Sequence, residues 1–125
     1  MKRRRNPAQP TPTNDALDWR GSEKQIAWAK TIRSRKLPQI AAEFDRVKAE
    51  HTAFVRAPRP ENGLYRAAHE NAKLTAQWQL VFIEYTAPFI ADAKWWIDVR
   101  DRQASEIVYI YAQGIGRTHV DKRFM

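Results

Sequence analysis

The chain has 125 residues, no cysteine, five tryptophans and a formal charge of +8. That length suits one domain with a true core and is short for two of ordinary size, while the missing cysteines exclude a disulfide framework, a thiolate metal site and a thiol nucleophile and fit a reducing compartment. The longest apolar runs, Leu80-Val-Phe-Ile83 and Ile107-Val-Tyr-Ile-Tyr-Ala112, fall far short of the roughly 18 residues of a membrane-spanning helix, so a soluble, cytoplasmic protein with no membrane association is expected.

The first 18 residues carry three prolines, small polar residues and the cations Lys2, Arg3, Arg4 and Arg5, too little apolar surface to offset the entropy of ordering. A disordered basic arm over 1–18 is expected. It does not resemble a secretory leader, because Asn6 to Asn14 stand where an apolar stretch is required. Ser22 followed by Gln25 has the form of a capping box, with Trp19 just ahead as a hydrophobic staple, and predicts a first helix from Ser22 to about Lys36. Pro38 predicts a break, since it disfavours the helical conformation at Leu37 and suits the first position of a new helix.

Beyond it, Ile40, Phe44, Val47, His51 and Phe54 recur at helical spacing and predict a second helix, which ends before the loop Ala57-Pro-Arg-Pro-Glu-Asn-Gly63. From Leu64, the pattern Ala67, Ala68, Asn71, Leu74, Trp78, Val81, Phe82, Tyr85 predicts a third helix of about twenty residues, interrupted at Thr86-Ala-Pro88. Phe89, Ile90, Ala93, Trp96, Ile97 and Arg100 predict a fourth, with Pro88 near its first turn. Ile107 to Tyr111 suit a strand or a helix; a lone strand would have no partner, and Gly114 stands where a C-capping glycine belongs, so a fifth helix is favoured. The expected architecture is an all-α compact bundle of four to five helices over 19–116, with a loose C-terminal tail over 117–125.

Charge is concentrated at the front. Residues 1–36 hold ten cations (Lys2, Arg3, Arg4, Arg5, Arg20, Lys24, Lys30, Arg33, Arg35 and Lys36) against Asp15, Asp18 and Glu23, whereas the remainder is nearly balanced. So one-sided a field attracts polyanions, because each neutralised phosphate releases condensed counterions. The competing reading is a solubilising tail and a solvated helix face.

No familiar reaction centre is present in the sequence. His69-Glu70 begins like a zinc-protease helix, but Lys73 occupies the place of the second histidine, and His51, His69 and His119 have no metal-ligand spacing. Asp98 and Asp101 could hold a cation or act as acid and base, but Lys94 to Asp98 and Asp98 to Arg102 are both i,i+4 spacings, so helix-surface ion pairing explains the carboxylates. Gly114-Ile-Gly116 lacks the third glycine of a phosphate loop, and Ser22 and Ser34 have no base nearby in sequence. Catalytic residues, metals and cofactors are therefore not expected. Among the tryptophans, Trp28, Trp78 and Trp96 are expected in the core, Trp95 at its edge and Trp19 exposed at the junction of arm and helix. Trp19 and Trp95 are thus the candidate partner-contact residues.

The blocks Gly21-Ser-Glu-Lys-Gln-Ile-Ala-Trp-Ala-Lys-Thr-Ile-Arg33 and Ala93-Lys-Trp-Trp-Ile-Asp-Val-Arg100 resemble a signature of small uncharacterised proteins of bacteriophages, plasmids and other mobile elements. The matching positions are Lys24, Gln25, Trp28, Ile32 and Arg33, then Trp95, Trp96, Asp98 and Arg100. The resemblance implies a mobile-element setting and carries no catalytic role. With the charge distribution it gives two expectations. The first is a non-enzymatic helical module that binds nucleic acid through its arm and first helix. The second is a protein-binding inhibitor of a host defence nucleoprotein complex, of the anti-CRISPR type, that uses the same basic face.

Overall fold

The computed structural model describes residues 11–58 and 60–123, with side chains as far as Gly114. They form an all-α bundle of four helices, α1 (Glu23–Arg56), α2 (Gly63–Val81), α3 (Ala93–Asp98) and α4 (Ala104–Arg123), without a strand among the described residues. The capping box at Ser22 is formed in both directions: Gln25 N donates to Ser22 Oγ at 3.1 Å, and Ser22 N donates to Gln25 Oε1 at 3.0 Å.

The expected break at Pro38 does not occur, and the two helices read on either side of it are one helix of 34 residues. The physical reason is phase. Ala29, Ile32, Ile40 and Val47 lie on one face of a continuous helix, and all four are buried. Burying each of the larger aliphatic side chains contributes about 1.5–3 kcal/mol, which together exceeds the roughly 3 kcal/mol penalty of an interior proline. Pro38 and Ser34 are both exposed, so the carbonyl that loses its donor lies on the solvent side.

A second correction concerns α2. Most of the stripe read as its core face is turned outward: Leu64, Ala67, Ala68, Asn71, Leu74 and Tyr85 are exposed and Trp78 and Val81 half-buried, while Phe82, just past the end of α2, is buried as expected. Ala72, Ala76 and Gln79 face the core instead, because small side chains let α2 pack closely against both α1 and α4. After Val81 the helix widens into a π turn (Phe82–Thr86) and tightens into a 3-10 turn (Ala87–Phe89), with Ala87 N donating to Phe82 O. Pro88 has no N–H with which to continue the ladder.

The fourth helix begins later than expected. Residues 90–92 are extended, with Arg20 N donating to Ala91 O at 2.9 Å and Ala93 N to Arg20 O at 3.0 Å, and Asp92 caps α3. Helix α4 runs through Gly114 and over 117–123, where a C-cap and a loose tail were expected. Within the expected arm, residues 11–18 are not loose. Asn14–Ala16 form a 3-10 turn against α1, with Asn14 Nδ2 donating to Lys30 O and Ser34 Oγ. Residues 1–10 lie outside the described residues.

The core is assembled from Ile32, Ile40 and Val47 of α1, Phe82 and Ile83 of the π turn, Trp96 and Val99, and Ile107 and Val108 of α4. Trp96 is fully buried with its Nε1 donating to Ile90 O at 2.9 Å, as its expected inward placement requires. Away from this core, the ends of α1 and α2 form a hairpin on which Val55, Leu64 and Tyr65 are exposed. The contacts there are local: a Phe54–His69 edge-on ring pair at 5.7 Å and the Asn62 cap of α2.

Gly21 joins the two signature blocks. Its φ of 138° is a region other residues rarely adopt, and a Cβ there would stand 3.0 Å from Ala93 Cβ. Gly21→Ala is expected to lower stability by about 1–3 kcal/mol from backbone strain, with further loss from the contact. Pro38→Ala, in contrast, is expected to raise it by about 2 kcal/mol, the helix-propensity gain exceeding the larger unfolded-chain entropy. Urea denaturation of both variants measures these changes.

Candidate nucleic-acid interface

The ten cations at the front of the chain have three fates. Lys2, Arg3, Arg4 and Arg5 lie outside the described residues. Lys30, Arg33 and Lys36 are engaged within the fold, whereas Arg20, Lys24 and Arg35 are exposed and form no ion pair among the described residues.

The engaged group corrects the expected basic track. Arg33 is only 4% exposed: its Nη1 donates to Asn14 Oδ1 at 2.7 Å, and its Nη2 to Pro12 O at 2.7 Å and Pro88 O at 2.9 Å. Burial lowers its pKa, although a guanidinium remains charged at any ordinary pH. Lys36, 8% exposed, donates through Nζ to Arg102 O at 2.6 Å. Both side chains are turned into the fold and nearly closed off from solvent, so an outside phosphate does not reach them, and the Nε of Arg33 is buried as well. Lys30 sits 3.3 Å from the exposed Asp15, a surface pair that water screens and that a phosphate can displace.

The exposed group has a geometry. Lys24, Trp28 and Arg35 stand four and seven residues apart, within about 40° of arc on the solvent face of α1, so they form one stripe along its first half. Trp28 was expected in the core; it is instead 49% exposed. The Arg100 guanidinium lies over its ring, 5.1 Å from the centroid, and is oriented by donating to Ile97 O at 2.7 Å. Trp28 and Arg100 come from different signature blocks and meet because α3 packs on α1 beside the Gly21–Ala93 contact.

This aromatic and cationic pair was missed by sequence reasoning. At Trp28 the helical phase is intermediate between the buried Ile32 and the exposed Lys24, and apolarity was taken as the deciding signal. The signal that would have found it is the spacing of Trp28 from the flanking cations.

The two tryptophans expected to contact a partner are both half-buried. Trp19 spends its only polar atom internally, Nε1 donating to Asn14 O at 2.6 Å, and so anchors the 3-10 turn. Trp95 is packed among Trp96, Tyr111 and Phe82, with ring centroids at 4.8, 5.1 and 6.3 Å. Its role on this geometry is to close the core, with one edge left at the surface. Asp98 pairs with Lys94 at 2.9 Å across one helical turn, as expected, and this bond raises the Lys94 pKa; the expected pairing with Arg102 is not formed, because α3 ends at Asp98 and Arg102 pairs with Glu106 at 3.4 Å instead.

Comparison with protein-family models, with curated proteins and with solved structures gives no match. Among the described residues, no helix is long and apolar enough to cross a membrane.

Because Arg33 works through three neutral oxygens at once, Arg33→Lys keeps the charge but loses the fork. We expect it to lower stability by about 2–3 kcal/mol in urea denaturation while leaving nucleic-acid affinity per folded molecule unchanged.

Proposed function

We propose that this protein is a non-enzymatic nucleic-acid-binding module of a phage or other mobile element. It holds the phosphate backbone without sequence preference through Arg20, Lys24 and Arg35, aided by Lys2, Arg3, Arg4 and Arg5. Trp28 offers its ring face to an unpaired base. The observation that carries this reading is the stripe on α1: two exposed cations without ion pairs among the described residues flank a half-exposed indole, beside which a third cation is held. Backbone-tracking cations interleaved with an aromatic platform are what single-stranded nucleic acid requires, since every base has a π face and every linkage a negative charge.

The same Trp28 and Arg100 pair favours a second reading, an inhibitor that grips an acidic patch of a host defence complex with its basic face and so blocks that complex's nucleic-acid contacts. Tryptophan and arginine dominate the energetics of protein interfaces, and a basic surface complements an effector site of acidic character.

Binding of single- and double-stranded DNA and RNA across a salt series separates the two. On the first reading log K falls linearly with log salt. Lys24→Ala and Arg35→Ala each reduce the slope by about 0.7 on single strands and 0.9 on duplex. Trp28→Ala weakens single-strand binding by about 1–3 kcal/mol and leaves duplex binding nearly intact. No binding by the full chain near physiological salt rejects the first reading. In that case a defence complex that retains the protein, and loses it on Trp28→Ala more than on either charge change, establishes the second.

A further inference from the structure

The apolar stripe of α2 lies on the outer side of that helix, and we propose that two copies of this chain associate through it, α2 beside α2, parallel and in register. Leu64, Ala67, Asn71, Leu74, Trp78, Val81 and Tyr85 follow one another in alternating steps of three and four residues. That spacing keeps one seam of a helix turned toward a partner helix. Among the described residues no helix covers the seam: α1 and α4 pack on the opposite side of α2, where Ala76 and Gln79 are buried. Leu64 is 78% exposed and Leu74 43%, while Trp78 and Val81 are half-buried. A bare apolar stripe of this length marks an interaction surface.

Three features select a second copy as the occupant. The first is Asn71, which stands exposed in the middle of the seam and whose side chain makes no hydrogen bond among the described residues. A carboxamide both donates and accepts, so across a two-fold axis it is its own complement. A single asparagine within such a seam fixes the register and the number of helices that pair, at some cost in stability. Only the parallel, in-register arrangement sets the two Asn71 side chains against each other while the whole seam overlaps.

The second feature is charge. Copies of a chain with a net charge of +8 repel one another unless the surface of contact lacks cations. The seam holds no charged residue. The two lysine or arginine side chains of α2 are engaged beside it, Arg66 donating to Pro60 O and Glu61 O and Lys73 pairing with Glu70 at 3.1 Å.

The third is size. From Leu64 to Val81 the seam runs about 26 Å. Two such seams bury an area near the lower bound of specific interfaces, about 1,200 Å² in total, which suits a reversible dimer with a dissociation constant of about 1–100 μM. The association does not rest on the nucleic-acid reading, and its test omits nucleic acid.

Sedimentation equilibrium of the full chain over about 1–500 μM is expected to show a concentration-dependent dimer. Leu74→Glu, at an exposed position, is expected to weaken it at least about thirtyfold with the circular dichroism of the monomer unchanged. Asn71→Leu is expected to tighten association at least about fivefold and to admit larger oligomers, because the polar pair is lost. As the chain has no cysteine, Leu64→Cys supplies a single thiol, which parallel copies bring side by side and antiparallel copies hold far apart. Oxidation of that variant is therefore expected to link the dimer covalently. A chain that stays monomeric up to about 500 μM overturns the proposal and leaves the seam to a partner of another kind. A dimer that Leu74→Glu leaves intact, that Asn71→Leu weakens, or whose Leu64→Cys thiols do not link overturns it as well.

Discussion

One buried guanidinium holds three separate stretches of this chain together. Arg33 projects from the middle of the first half of α1 and donates to the Pro12 carbonyl, the Asn14 amide and the Pro88 carbonyl. Residues 11–18 would otherwise have little reason to lie against the helix, being rich in proline and small polar groups. The turn at 87–89 would otherwise leave the Pro88 oxygen buried without a donor. A lysine offers a point charge; only a planar fork with several donors reaches three acceptors set around it. The position of Pro88 in turn determines where α3 begins, and so where Trp96 enters the core and where Arg100 meets Trp28.

Much of the fold could be read from the sequence because local signals and burial agreed there. The capping box at Ser22, the start of α2, the interruption at Thr86-Ala-Pro88 and the inward turn of Trp96 all follow from short-range chemistry. Errors arose where a tertiary constraint outweighed a local one. Pro38 is a strong breaker in isolation, yet Leu37 and Ile40 on either side are drawn into one core, and the helix continues. On α2 the large apolar residues marked the wrong face, since close packing against two neighbouring helices selected alanines instead.

The candidate site was legible in its composition and less so in its parts. The concentration of cations in residues 1–36 was visible, but their division was not, because burial of Arg33 and Lys36 depends on carbonyls from residues 12, 88 and 102. Long-range partners of that kind leave no periodic trace. The blocks Gly21–Arg33 and Ala93–Arg100, far apart in the chain, meet in the fold. Gly21 permits the approach of Ala93, and that approach sets Arg100 over Trp28, so the two blocks are halves of one packing unit.

Helix α1 is about 51 Å long, and its buried residues end at Val47, nine residues before its C-terminus. Its last turns, with the first turns of α2, therefore extend beyond the body of the bundle as a hairpin whose contacts among the described residues are local, the Phe54–His69 ring pair, the Asn62 cap and Arg66 donating to Pro60 O and Glu61 O among them. Such a hairpin has its own opening equilibrium. It frays at a free energy well below that of global unfolding, so its amides exchange with solvent while the core around Trp96 remains closed. A molecule built this way tolerates insertions at the 57–62 loop with little effect on the core. Its exposed Val55, Leu64 and Tyr65 are carried at the end of that hairpin, beyond the core in which both of its helices are anchored.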